Sequence, residues 1–226
     1  AGASRQVFVL GLADSATRAL TDPAIDASLP VFSPDGTELA YRAVDGEGRC
    51  QLKIVAIDGG LERSIGTCDT DDLIAFDWDP ADPLRMLGSR LERGRIGGGA
   101  LRALQLTDRW HDEALAYGRD DAAIDLEPRF SPDGGLIAFR RGPNPTSDLW
   151  VMPASGGEPR RLTRVRARLS GYDWWPGGRH LVFASDHGGR DELWRVALED
   201  GRIERLGITD AVFPDVAGDT LVYQGL

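Results

Sequence analysis

The stretch Phe130-Ser131-Pro132-Asp133-Gly134 repeats, residue for residue, a stretch 98 positions earlier, Phe32-Ser33-Pro34-Asp35-Gly36. A looser copy, Trp78-Asp79-Pro80, lies between them, and Trp174-Trp175-Pro176-Gly177-Gly178 follows. A degraded copy reads Pro214-Asp215-Val216-Ala217-Gly218. The steps between copies are 46, 52, 44 and 40 residues. A period of about 40–50 residues is that of one four-stranded propeller blade.

Each unit repeats one internal grammar. An aromatic residue ends a first strand, and Asp-Gly then supplies a tight turn, because glycine takes a positive φ at little cost. A second strand follows, as in Leu39-Ala40-Tyr41, Leu136-Ile137-Ala138-Phe139 and Leu181-Val182-Phe183. A polar loop such as Asp45-Gly46-Glu47-Gly48 or Asp186-His187-Gly188-Gly189 leads to a third strand, read at Leu52-Lys53-Ile54-Val55, Leu149-Trp150-Val151-Met152 and Leu193-Trp194-Arg195-Val196. A fourth strand closes the unit, as at Pro159-Arg160-Arg161-Leu162-Thr163 or Ile203-Glu204-Arg205-Leu206. Alternation with period 2 dominates throughout, and no segment reads as strongly helical. Residues 6–12 and 17–21 read as a third and fourth strand, and 213–217 and 220–224 as a first and second. Residues 1–226 are therefore expected to form one all-β domain, a β-propeller of four-stranded antiparallel blades. About five blades are expected, with the ring closed by pairing of the N- and C-terminal half blades, which removes exposed edges. The competing reading is a piece of a larger ring of six to eight blades.

Apolar residues make up 42% and charged residues 27% of the chain, which excludes a disordered polymer. No apolar run approaches the roughly 18–20 residues of a membrane-spanning helix. The first residues, Ala1 to Gln6, carry no charged-then-apolar leader, so any such segment is expected to lie outside this sequence. The net charge of −10 opposes a phosphate backbone, so direct nucleic-acid binding is not expected.

The units 32–67 and 130–163 resemble the repeats of TolB-type β-propellers, the closest stretch running from Ser131-Pro132-Asp133-Gly134 through Asp148-Leu149-Trp150-Val151-Met152 to Gly156-Gly157-Glu158-Pro159-Arg160-Arg161-Leu162-Thr163. Such repeats occur in the periplasmic protein-binding TolB protein and in the non-catalytic propellers of prolyl-oligopeptidase-like enzymes. They also occur in the extracytoplasmic C-terminal sensor region of CadC-like membrane-anchored transcriptional regulators. The last resemblance implies a sensor that binds a peptide, protein partner or small signal molecule at the periplasmic or extracellular face of the inner membrane, attached through an anchor outside this sequence. A TolB-like envelope scaffold and an accessory propeller of a hydrolase are the alternatives it leaves open. Fold alone does not choose among them.

The two cysteines, Cys50 and Cys68, are centred on Gly59 of the turn Asp58-Gly59-Gly60. In an antiparallel hairpin this makes them direct cross-strand partners, about 4.5–5.5 Å apart at Cα, a distance compatible with a disulfide. A bridge implies an oxidising compartment, whereas two half-buried thiols would leave the compartment open.

No pattern supports catalysis. There is no Gly-x-Ser-x-Gly elbow. Ser155 falls in a hairpin turn, and His111, His180 and His187 have no nucleophile at a readable spacing. Asp186, His187 and Asp191 could ligate a divalent ion, but the loop grammar already calls for polar residues there. No cofactor or metal is expected. The binding candidates are charges at the links between blades and on the first strands. Asp69, Asp71 and Asp72, and then Asp120, Asp121, Asp125 and Glu127, make two links acidic, while Arg164, Arg166 and Arg168 make the next one basic. A face of both signs suits peptide recognition, and a solvated rim is the bland alternative. Asp77, Arg129 and Asp173 precede the repeated aromatic and are expected to point toward the channel, as an interblade ion network or as ligand contacts. Phe32, Trp78, Phe130 and Trp174 are expected to pack blade against blade, and Trp150 and Trp194 to lie in the core.

Overall fold

A computed structural model describes residues 4–10, 16–68, 73–91, 99–106, 110–118, 123–143, 145–217 and 220–226. Among these, the regular structure is strand throughout. A first hairpin pairs β1 (Phe8–Leu10) with β2 (Thr17–Ala19). Blade one follows: β3 (Asp26–Phe32), β4 (Glu38–Val44), β5 (Cys50–Ala56) and β6 (Glu62–Cys68), hydrogen-bonded in that order. Blade two is β7 (Leu73–Trp78), β8 (Arg85–Leu91), β9 (Gly99–Leu106) and β10 (Trp110–Ala114). Blade three is β11 (Ile124–Phe130), β12 (Leu136–Gly142), β13 (Thr146–Pro153) and the two-residue β14 (Arg160–Arg161). Blade four is β15 (Ala167–Trp174), β16 (His180–Ser185), β17 (Glu192–Ala197) and β18 (Ile203–Thr209). The last hairpin is β19 (Ala211–Ala217) with β20 (Thr220–Gly225).

The repeated Ser-Pro-Asp-Gly is a side-chain lock on the inner turn. Ser131 Oγ donates to Asp133 Oδ1 (2.6 Å) and accepts from the Leu136 amide (2.9 Å), and Gly134 takes φ 70°. Ser33, Asp35 and Gly36 repeat this in blade one, with Ser33 Oγ at 2.7 Å from Asp35 Oδ1 and Gly36 at φ 71°. The serine hydroxyl, with the Thr37 amide and hydroxyl, holds the Asp35 carboxyl below its ordinary pKa. At the degraded fifth copy Pro214 and Asp215 lie within β19, and Ala217 pairs with Thr220, in line with the strands expected at 213–217 and 220–224.

The core is a set of interblade layers. Trp78 packs on Ala40, Leu52 and Ile54 of blade one. Phe130 packs on Leu87 and Leu101 of blade two, and Trp174 on Ala138, Leu149 and Val151 of blade three. Each repeated aromatic therefore covers the blade before its own, and the three are 4–5% exposed. Phe32 departs from the expectation: it is 57% exposed. The reason is topological. Among the described residues the position before blade one holds only the β1–β2 hairpin, whose neighbouring Val7 and Leu20 pack with Leu39, Tyr41 and Val55. The β19–β20 hairpin instead packs on blade four, through Ala211, Val212 and Leu221 against Ala184 and Leu193. Both half blades exist, but they remain separate two-stranded sheets, with no ladder joining β20 to β1 among the described residues. Trp150 and Trp194 pack against the core as expected but are only half-buried, with Arg141 over the first ring at 4.8 Å and His187 against the second at 4.1 Å.

Cys50 and Cys68 are register partners in β5 and β6, with Cα atoms 4.9 Å apart, and form a disulfide.

Candidate functional site

Five inner strands, β3, β7, β11, β15 and β19, converge on one central cavity of about 500 Å³. Every one of them breaks register, β7 at its start and the others near the middle. At these breaks Leu29, Glu127 and Phe213 adopt left-handed backbone with φ of 51–56°, and Gly171 does so at φ 93°. A bulge of this kind re-aims a side chain, and Leu29, Glu127 and Phe213 all line the cavity. The pre-bulge chemistry was written in the sequence as Leu29-Pro30, Glu127-Pro128 and Phe213-Pro214. Proline has no amide to give a ladder and is confined in sheets to edges and bulges, so these pairs mark the innermost, channel-facing strand.

Two residues beyond each bulge lies a belt made by Val31, Asp77, Arg129, Asp173 and Asp215 at the equivalent positions of the five strands. Three belt members, Asp77, Arg129 and Asp215, line both the main cavity and a further space of about 280 Å³ toward the inner turns. Asp77 Oδ2 accepts from the Phe130 amide at 2.7 Å, and Asp173 Oδ2 accepts from the Val216 amide at 2.7 Å. Each carboxylate thus buckles its blade to the inner strand of the next. Arg129 stands where a third carboxylate would be and pairs with Asp173 at 3.5 Å, its side chain 41% exposed to the channel. Burial pushes the Asp77 and Asp173 carboxyls up to about 6, against the opposing pull of Arg129. Burial works against the Arg129 charge, but Asp173 and Asp77 outweigh it and raise its pKa. The belt is both a fastening between blades and a charged surface within the channel.

The other sequence candidates separate. Asp125 is buried and held by Arg141 through two hydrogen bonds of 2.7 and 2.8 Å, with Tyr117 donating at 2.7 Å; it is a structural anchor with no face to offer. Glu127 lies on the cavity wall and accepts from Arg140 at 2.6 Å. Arg168 is bound to Asp191 at 2.5 Å, and its amide donates to Asp186 at 3.0 Å. That ties down the loop considered for metal. His187 is sandwiched between Phe183 and Trp194, and burial lowers its pKa. Among the described residues no group of three or more His, Cys, Asp or Glu side chains is placed to hold a metal ion. Arg166 stands apart from the channel, in a second pocket. Asp69, Asp71, Asp72, Asp120 and Asp121 lie outside the described residues.

No family model matches the chain. An uncharacterized protein of Agrobacterium fabrum, Atu1656, is 26% identical over 213 residues, covering 86% of this chain and 64% of the relative. The uncharacterized protein YidR of Escherichia coli is 39% identical over 61 residues, 26% of this chain and 15% of that one. The chain thus spans less than two thirds of the curated relatives it matches. Among solved structures, a putative TolB from Agrobacterium tumefaciens superposes with a TM-score of 0.78 at 20% identity, over 99% of this chain and 78% of that one. TolB from Acinetobacter baumannii gives 0.66 at 18% identity, over 88% and 47%. A chain of the nidogen–laminin complex gives 0.75 at 12% identity, over 99% and 83%. The fold is a β-propeller. At these identities the likeness extends to the fold alone, and the same architecture carries an oligogalacturonate lyase with manganese (TM-score 0.66, 14% identity).

Proposed function

We propose that this chain is a non-catalytic, extracytoplasmic propeller that binds another protein, a peptide segment of which is held at the channel mouth. One observation carries the reading. The cavity wall combines exposed apolar side chains, Phe32 and Phe213 at 57% and 60%, with a belt of both charges next to each of them. Apolar anchors beside mixed charge suit a peptide better than a single ion or a small polar substrate. The TolB-like structural neighbours support the same reading, and the disulfide supports an oxidising compartment. The finer reading, a sensor for a membrane-anchored regulator, uses the same surface with a peptide or small signal as its ligand; the neighbours favour the scaffold.

The test is site-specific photo-cross-linking in an envelope extract. A cross-linker replacing Phe213 is compared with one replacing Leu61, which is exposed on the β5–β6 turn of an outer strand pair. A discrete protein adduct from position 213 and none from 61 is the expected outcome. Equal adducts from both, or none from 213, would refute a channel-mouth interface.

A further inference from the structure

A second pocket, of about 380 Å³, lies at the link end of blade three and is walled by Arg141, Arg161, Arg166, Trp150, Ser147 and Asp148, among others. It is built differently from the channel. Asp148 Oδ1 accepts from Thr163 Oγ1 at 2.9 Å and from the Val165 and Arg166 amides at 2.7 and 3.3 Å, while Oδ2 accepts from Arg161 at 2.5 Å. These bonds hold the link from β14 to β15 against the pocket. Arg166 is thereby fixed in left-handed backbone at φ 47°. The corresponding residue before β19 is Asp210, also left-handed at φ 53°. Aspartate tolerates that conformation more readily than arginine does, so the backbone alone gives no reason for arginine at 166.

The side chains supply one. Arg166 is exposed and its side chain makes no hydrogen bond or ion pair among the described residues, whereas Arg161 is committed to Asp148 and to the Thr163 carbonyl, and Arg141 to Asp125. Among the described residues three guanidinium groups of the pocket face the two carboxylates they hold, one positive charge in excess, in a chain of net charge −10. Ser147, on the pocket wall, has a buried hydroxyl that finds no hydrogen-bond partner among the described residues. Buried polar atoms are nearly always satisfied, so an orphan donor inside a cationic pocket is a place prepared for an acceptor. Trp150, under the Arg141 guanidinium at 4.8 Å, gives the pocket an aromatic wall.

We infer that this pocket binds a carboxylate group of a peptide, with Arg166 pairing its charge and Ser147 Oγ donating to it. Two sources share that chemistry, an acidic side chain and a chain terminus. The inference rests on the protein-binding reading but uses a different surface from the channel mouth.

The experiment is an amide NMR titration of the oxidised chain. The probes are acetyl-aspartate N-methylamide, acetyl-glycine with its free terminus, and the neutral acetyl-asparagine N-methylamide, each at matched sodium chloride. Saturable shifts are expected at the amides of residues 146–150 and 165–167 with one or both carboxylates, and none with the asparagine probe; the tighter carboxylate identifies the source. Arg166→Ala is expected to weaken binding about fivefold, the scale of an exposed pair. Ser147→Ala is expected to weaken it about tenfold without lowering the midpoint of unfolding, because the hydroxyl it removes has no partner in the fold. Arg168→Ala, outside the pocket, should leave affinity unchanged. Shifts reproduced by chloride alone, by the asparagine probe, or unaltered in both pocket variants would overturn the assignment. Cross-linking at position 213 would stand or fall separately.

Discussion

Replacing Phe32 and Phe130 in turn by alanine sets one repeat position against itself. The two residues occupy the same place in identical five-residue motifs, yet Phe130 is 5% exposed and Phe32 57%. A phenylalanine side chain buries on the order of 200 Å² when fully covered. At about 25 cal/mol/Å² that is close to 5 kcal/mol, and measured Phe→Ala changes in cores run about 3–5 kcal/mol once relaxation is included. Phe130 should lie in that range, since its ring contacts Leu87, Leu101, Ile137 and Met152 and also carries Arg85 at 5.3 Å. Phe32 buries less than half its surface, and its removal opens no enclosed cavity, so a loss of about 1 kcal/mol is expected. The assay is urea unfolding of the oxidised chain, comparing midpoints at unchanged slope. Equal destabilisation by the two substitutions would refute the reasoning, because it would mean that something covers Phe32 as a preceding blade covers Phe130. A loss confined to Phe130 would establish that the seam before blade one is open in solution.

Three further outcomes follow from the same structure. Reducing Cys50–Cys68, which closes a sequence separation of 18, should lower unfolding stability by about 3 kcal/mol on the chain-entropy scale, read as a midpoint shift with and without reductant. Asp125→Asn leaves Arg141 buried with half its partner gone and should cost about 3–5 kcal/mol, the scale for breaking one side of a buried pair, while Arg49→Ala on the exposed Asp45 pair should cost less than about 1 kcal/mol. For pH, Asp77 and Asp173 have folded pKa values near 6, above the ordinary 3.8. The fold favours their protonated forms, so this contribution is complete below about pH 4 and is lost as pH rises through 6, by no more than about 3 kcal/mol per group. Asp77→Asn with Asp173→Asn should therefore flatten the fall in stability between pH 4 and 7; an unchanged slope would show that the belt does not titrate as described.

The blade grammar was legible because it is local. Ser33 with Asp35, and Ser131 with Asp133, lock their turns within five residues, and the cysteine pairing follows from counting outward from one turn. The inward aim of Asp77 and Arg129, and the pairing of Arg129 with Asp173, follow from alternation with the repeated ring. Three things were not legible. The bulges on the inner strands were hidden because a register slip leaves no mark in alternation, and the proline after Leu29, Glu127 and Phe213 was its only trace. The exposure of Phe32 depends on what stands before blade one, a contact between chain segments nearly 200 residues apart that no window of sequence contains. Ser147 was invisible for a related reason, since only the assembled pocket deprives its hydroxyl of a partner.

The belt shows how the proposed binding role and the fastening role can fall on the same residues. A carboxylate on an inner strand can reach the next strand's amide only by staying at the channel wall, where desolvation raises its pKa. Arg129 eases that burden at Asp173 but its side chain cannot accept an amide hydrogen bond, so it meets the next strand through the ion pair at 3.5 Å, while its carbonyl accepts from Trp174 Nε1 at 3.2 Å. With Asp77, Asp173 and Asp215 set against one guanidinium, the belt holds an excess of negative charge in a confined space. A lysine or arginine side chain entering from a bound peptide would relieve it, and binding would draw protons off Asp77 and Asp173. Partner affinity at the channel mouth should then weaken as pH falls below about 6, whereas a carboxylate held by Arg166 would not lose affinity until the carboxylate itself protonates, about two units lower. A pH series of cross-linking at position 213 beside the amide titration at Ser147 separates the two surfaces, and a common midpoint for both would mean that one of them has been misassigned.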